Sequence, residues 1–178
     1  MGEAKVKIRD ERMLAGARKL LTVCTRTRAG EGVVIVTDTE TMALAEPLAV
    51  AATELGAEPT ICVMPTRTAH GQEPPAPVAA ALAAARVFFI PVTVSITHTQ
   101  AVKNAVQAGA RGLVMTDFRP EMFIHGGIEA DFEAQAPLCR RLAAIFEAGK
   151  QVHLSTPAGT DLHLDATGRR GNALTGMV

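Results

Sequence analysis

The chain has 178 residues, 18 Lys and Arg against 18 Asp and Glu, and 48% hydrophobic residues. That length fits one domain, or one domain with a short extension, and is enough to bury a substantial core. The balanced charge gives no basic field to attract a polyanion, and the absence of Trp and Tyr leaves few stacking platforms for bases, so nucleic-acid binding is disfavoured.

No apolar run reaches the length of a membrane span: the longest, from Pro77 to Ile90, is rich in Ala and broken by Arg86. The opening Met1-Gly2-Glu3-Ala4-Lys5 lacks the apolar core of a secretory signal. A soluble, cytoplasmic protein without membrane partners is the expectation. Cys24, Cys62 and Cys139 are far apart and form no CxxC pair, which argues against a zinc knuckle and for buried free thiols.

In chain order, residues 10–28 read as a helix, with Leu14, Ala17, Leu20, Leu21 and Cys24 at helical spacing and Gly30 and Gly32 beyond its end. Val33 to Val36 is a β-branched run suited to a strand buried on both faces. Thr37-x-x-Glu40 has the form of a capping box for an Ala-rich helix over 41–55. The cycle then repeats. A strand over 60–64 and a Pro-rich loop over 65–77 lead to a helix over 78–85 and a strand over 87–90. A helix over 100–108 is closed by Gly109, and a strand follows over 112–115. Pro120 suits a first helical turn, and a longer helix runs from about 131 to 148. Strands alternating with helices in this way predict an α/β fold, an open, mostly parallel sheet with helices on both faces.

The end of the chain has a different period. Residues 151–155 offer a fifth strand, and Val152 to Thr156 and Asp161 to Asp165 both alternate with period two. Pro157-Ala158-Gly159 between them fits a three-residue hairpin loop, with Gly in the left-handed position of a bulge. That C-terminal β-hairpin pairs Thr156 with Thr160, Ser155 with Asp161, and His153 with His163. One face then carries His153, Ser155, Asp161, His163 and Asp165, and the other Val152, Leu154, Leu162 and Leu164. Two His with flanking carboxylates are a metal-ligand set, here His153, His163 and Asp165. The simpler reading is a hairpin with one face to the core and one to water, and no metal is expected in this chain. After Asp165 the pattern dissolves through Arg169 and Arg170, a basic turn, and the chain stops as though cut.

Common cofactor loops are missing. No GxGxxG follows the first strand, no GxxxxGK[ST] occurs, and the turn after that strand, residues 37–40, carries carboxylates where a phosphate needs bare amides. HExxH and GxSxG are absent too. The segment Ser95-Ile96-Thr97-His98-Thr99 falls just beyond the carboxyl end of the third strand, where open parallel sheets bind ligands. Ser95, Thr97, His98 and Thr99 are therefore candidate substrate-binding residues, although Thr97 or Thr99 also suits the cap of the next helix. His125, beside Gly126 and Gly127, either faces a ligand or sits near the negative pole of a helix end.

The segments 95–100, 104–109, 122–131 and above all Thr156-Pro157-Ala158-Gly159-Thr160-Asp161-Leu162 followed by Gly168-Arg169 resemble the thermophilic metallo-aminopeptidases, the aminopeptidase T and S family. The same pattern is similar to 2,5-dihydroxypyridine dioxygenase, an iron(II) ring-cleaving relative. The resemblance runs from about residue 10 onward. It implies an α/β domain over residues 1–150 and, over 151–178, a hairpin that begins a truncated second, metal-binding domain. It implies a divalent metal (zinc, cobalt or iron) for the full-length enzyme, held by Glu, His and Asp residues of that following domain. The chain would be a substrate wall, inactive alone, for a peptide or small-molecule substrate, with the missing C-terminal domain or another copy of itself as partner. Ser-Ile-Thr-His-Thr leans toward a hydrolase, and a ring-cleaving dioxygenase is the alternative. A non-catalytic ligand-binding or assembly module is a third reading.

Overall fold

The computed structural model describes residues 11–178. The Met1–Lys5 opening, the first residue of the helix expected over 10–28, and the first ten residues of the expected 1–150 domain lie outside the described residues. The chain forms two compact units, one ending at Glu129 and joined by Val178, the other spanning Ala130–Met177.

In the first unit, α1 (Glu11–Lys19) continues into a π-helical turn, Leu20–Cys24, and stops there rather than at residue 28. Leu20, Leu21 and Cys24 are buried. The turn closes when the Thr25 amide donates to the Leu20 carbonyl five residues back, and Arg26 then takes a left-handed backbone (φ 48°) that no helix continues.

Four parallel strands follow: β1 (Gly32–Asp38), β2 (Glu58–Met64), β3 (Val87–Val92) and β4 (Arg111–Thr116), in the order β2-β1-β3-β4. Each crossover holds a helix: α2 (Ala45–Glu54), α3 (Ala76–Ala84) and α4 (Gln100–Gln107). All of β3 is buried, as its continuous apolar run requires of a central parallel strand. β2 and β4 are the two edge strands, and Ile61 and Val63 lie exposed on β2. Val34, Val36, Phe88, Ile90 and Val92 form one core with Val78 and Leu82 of α3 and Val102 and Ala105 of α4. The alternate residues Val33, Ile35 and Phe89 are fully buried as well, and α2 packs on β1 with α1 beside it. The sequence-based expectation of an α/β sheet covered by helices thus holds.

Thr37-x-x-Glu40 does not cap a helix. Thr37 continues β1 and is fully buried, and α2 begins seven residues beyond Asp38, after a 3-10 turn at Met42–Leu44. The amino end of the sheet is locked by Arg111. Its guanidinium donates to both carboxylate oxygens of Glu31 (2.7 and 3.1 Å), to the Thr25 carbonyl (2.6 Å) and to the Arg26 carbonyl (3.0 Å).

In the second unit, α5 (Phe132–Ala148) starts at Asp131, whose carboxylate accepts the Ala134 amide. The fifth strand is not part of the parallel sheet. β5 (Gln151–Ser155) pairs only with β6 (Asp161–Asp165), antiparallel, in the expected register of His153 opposite His163 and Ser155 opposite Asp161. The loop is three residues long and Gly159 takes φ 101°. The Thr156 amide donates to the Thr160 carbonyl at 3.0 Å. No helix among the described residues is long and apolar enough to cross a membrane.

Candidate functional site

The strand order reverses between β1 and β3, since β2 lies to one side of β1 and β3 and β4 to the other. At such a switch point the loops leaving the carboxyl ends diverge and leave room for a ligand. The loop after β1 (residues 39–41), the loop after β2 (65–75) and the loop after β3 (93–99) therefore define the candidate site.

Its floor is Asp38, a residue the sequence had flagged only as an obstacle to phosphate. Asp38 ends β1 fully buried. One oxygen accepts the Thr93 amide at 2.7 Å. The other accepts the amides of Glu40 and Thr41 (3.1 Å each) and the hydroxyls of Thr41 (2.8 Å) and Thr93 (3.2 Å). Burial by itself pushes this carboxyl up. The donors from Thr93, Thr41 and Glu40 together outweigh it and hold the group below its ordinary value, so it is a carboxylate. The Thr41 hydroxyl also lies 2.8 Å from the Pro91 carbonyl, which ties the β1 turn to β3.

The loop after β3 is fixed by the loop after β2. His70 Nδ1 accepts the Ser95 amide at 3.0 Å, and the Gly71 amide donates to the Ser95 carbonyl at 2.8 Å. Ser95 and Thr97, both half-buried, share a 2.7 Å hydroxyl contact, and the Thr97 amide donates to Ser95 Oγ. Thr99 is buried and caps α4, accepting from the Val102 amide. Its side chain is thus committed to the helix end. His98 is exposed between Thr97 and Thr99. The first amides of α4 are already filled by Glu73, whose carboxylate accepts from Gln100 (2.5 Å) and Ala101 (3.2 Å). The chain's own anion occupies the place where a phosphate would bind.

His125 follows β4, exposed, between 3-10 turns at Pro120–Phe123 and Gly126–Glu129. Its amide donates to the Glu121 carbonyl, and its ring lies 3.8 Å from Glu129. Those partners are local, as is the Ser95–Thr97 contact. Cys24 is buried, and burial pushes its thiol and that of half-buried Cys62 up, away from nucleophilic character.

A different constellation stands on the hairpin. The rings of His153 and His163 stack with centroids 4.0 Å apart and planes 10° from parallel. Between their Nε2 atoms lies Asp161 Oδ1, 2.7 Å from His153 and 3.3 Å from His163. Asp165 instead accepts the Thr167 amide, and the hydroxyl and amide of Thr167 hold its carboxyl below the ordinary value. Among the described residues this is the one grouping of three metal-ligating side chains, so the sheet edge holds none.

Comparison with known proteins gives the family of the chain. The family model of 2,5-dihydroxypyridine 5,6-dioxygenase (NicX) matches residues 12–178, nearly the whole chain. The chain belongs to the 2,5-dihydroxypyridine 5,6-dioxygenase family. The dioxygenase structure from Pseudomonas putida KT2440, 2,5-dihydroxypyridine dioxygenase, is similar at a TM-score of 0.68 and 16% identity, over 86% of this chain and 46% of that one. Wild-type AmpT, aminopeptidase T, from Thermus thermophilus is similar at 0.56 and 16% identity, over 87% of this chain and 53% of that one. At these identities the two structures share the fold. The chain spans about half the length of each. No curated protein sequence matches it. The resemblance seen in the sequence, to the dioxygenase and to the aminopeptidase branch, is therefore real.

Proposed function

We propose that this chain is the substrate-facing α/β wall of a metal-dependent, ring-cleaving dioxygenase. The observation that carries this reading is the family match over residues 12–178. It moves the weight from the hydrolase that the Ser95–Thr99 segment suggested toward the dioxygenase that stood as its alternative. The wall is the β1–β3 switch point, with Asp38 as a fixed floor and Ser95, Thr97 and His98 offering hydroxyls and an imidazole toward a small aromatic substrate. Thr99 acts through the helix cap and His125 from the neighbouring loop.

The family implies a divalent metal, iron(II) for ring cleavage. The residues at the sheet edge do not fit it, because no three ligand side chains converge there among the described residues. The chain alone is then folded but inactive, and it works in the cytoplasm with a further metal-binding domain or another copy of itself as partner. Exposed apolar side chains support a partner: Ile145 (57%) and Phe146 (51%) with Leu138 and Leu142 on α5, and Leu154, Leu162 and Leu164 on the hairpin.

The test uses the protein expressed from its natural reading frame, supplied with iron(II) and oxygen. Consumption of 2,5-dihydroxypyridine would support the dioxygenase reading. Release of amino-terminal residues from a leucyl peptide with zinc or cobalt would replace it with the hydrolase. Neither activity would leave the binding module and overturn both.

A further inference from the structure

We propose that His153, Asp161 and His163 form a cross-strand site for a first-row divalent transition cation of the zinc class. The inference rests on the hairpin alone and not on the function proposed above.

The hairpin creates the site in two steps. Backbone bonds from Thr156 to Thr160 and from Ala166 to Lys150 mark the even-numbered residues of β5 as hydrogen-bonded pairs. His153 and His163 are therefore a non-hydrogen-bonded pair, the kind whose side chains come closest. Their rings meet face to face at 4.0 Å. Asp161 lies two residues before His163 on the same face, diagonal to His153, and its carboxylate reaches both Nε2 atoms.

The donor set suits a borderline cation. Tetrahedral zinc with nitrogen and oxygen ligands at about 2.0–2.2 Å holds neighbouring donor atoms roughly 3.3 Å apart. The Asp161–His163 separation is already 3.3 Å, and the Asp161–His153 one, 2.7 Å, has to open by about half an ångström. All three donor atoms lie within 4.8 Å of one another. Magnesium and calcium prefer all-oxygen shells and are disfavoured by two imidazoles. All three side chains are exposed, so water fills the remaining position and the ion acts as a clip between strands. Two-stranded hairpins are marginal in water, and a ligand that binds only the paired form stabilises it.

The experiment is a zinc titration of the full chain at neutral pH by calorimetry, with histidine NMR resonances followed in parallel. One equivalent is expected to bind, shifting the His153 and His163 resonances and leaving those of His70, His98 and His125 in place. H163Q and D161N should each weaken binding by about tenfold or more, since even outer-shell changes cost that much. Both positions are exposed, and circular dichroism checks that the variants fold. Copper(II) should bind tighter than zinc, and magnesium should not compete. Affinity should fall in acid, where imidazoles keep their protons. Absence of saturable binding overturns the site, as does binding that survives H163Q. Binding that D161N leaves unchanged overturns the role of the carboxylate.

Discussion

Asp38 and Thr93, 55 residues apart in sequence, are joined by a 2.7 Å hydrogen bond from the Thr93 amide to the Asp38 carboxylate. The bond closes the sheet where its strand order reverses, and it sets where the residue 93–99 loop begins. Removing the carboxylate strands the amides of Thr93, Glu40 and Thr41 without their acceptor. Unpaired buried donors cost about 1–3 kcal/mol. Asp38→Ala is expected to lower unfolding stability by about 2–4 kcal/mol, read from the urea midpoint. Asp38→Asn should recover only part of this, because its NH2 group faces donors.

The two carboxylates that anchor opposite ends of the sheet give stability a direction with pH. The Arg111 guanidinium, opposed by burial and aided by the Arg28 amide, holds Glu31 below its ordinary value. Asp38 is lowered on balance by its donors, against burial. A lowered folded value means that the unfolded chain takes up protons first. The contribution is complete above the unfolded values of about 3.9–4.3 and is lost as pH falls through the folded ones. Stability should therefore stay level from neutrality down to about pH 5 and decline steeply below it. Arg111→Ala should flatten that decline and cost about 1–3 kcal/mol at neutral pH. Urea denaturation at a series of pH values measures both. An acid limb equally steep in Arg111→Ala would refute the role given to Glu31.

Gly16 in α1 is where propensity and packing disagree. Ala is favoured over Gly in a helix by about 1 kcal/mol. A Cβ at Gly16 would, however, run into the carbonyl of Phe123, whose side chain is almost wholly buried and whose backbone is not free to swing away. Overpacking of this kind costs about 1–3 kcal/mol, so packing wins. Gly16→Ala should destabilise by about 1–2 kcal/mol, against the sign that helix propensity gives. A raised urea midpoint would show that the 120–123 turn gives way.

These residues also show what a sequence can disclose. The hairpin register was legible because period-two alternation and Pro157-Ala158-Gly159 leave one pairing that keeps the leucines on one face. The parallel sheet was legible from its apolar runs. Asp38 was not, because its decisive donor lies on another strand and no local spacing announces it. Thr37-x-x-Glu40 satisfied a local rule that β1 overrode by running on through Thr37. The π turn was hidden because Leu20, Leu21 and Cys24 are buried at spacings an α-helix shares. Alternation placed Asp161 and Asp165 equally beside His163. The twist of the ribbon favours one diagonal, and Asp161 is the carboxylate that meets both rings.

His98 and Thr99 are neighbours with separable roles, and their variants test whether the wall reading is sound. Thr99 is buried and caps α4, so Thr99→Ala should cost about 1 kcal/mol of stability. Any kinetic effect would come through movement of the loop. His98 is exposed, so His98→Ala should change stability by no more than about 0.5 kcal/mol. If His98 hydrogen-bonds substrate, the contact is worth about 0.5–1.5 kcal/mol, which is roughly a twofold to tenfold loss in kcat/KM. A loss carried by KM would make the contact one of binding, and a loss carried by kcat would place it in the transition state. The measurement belongs in the protein expressed from its natural reading frame, with thermal unfolding and kinetics on the same preparations. An unchanged kcat/KM in His98→Ala would remove the imidazole from the wall and leave Ser95 and Thr97 as its polar groups.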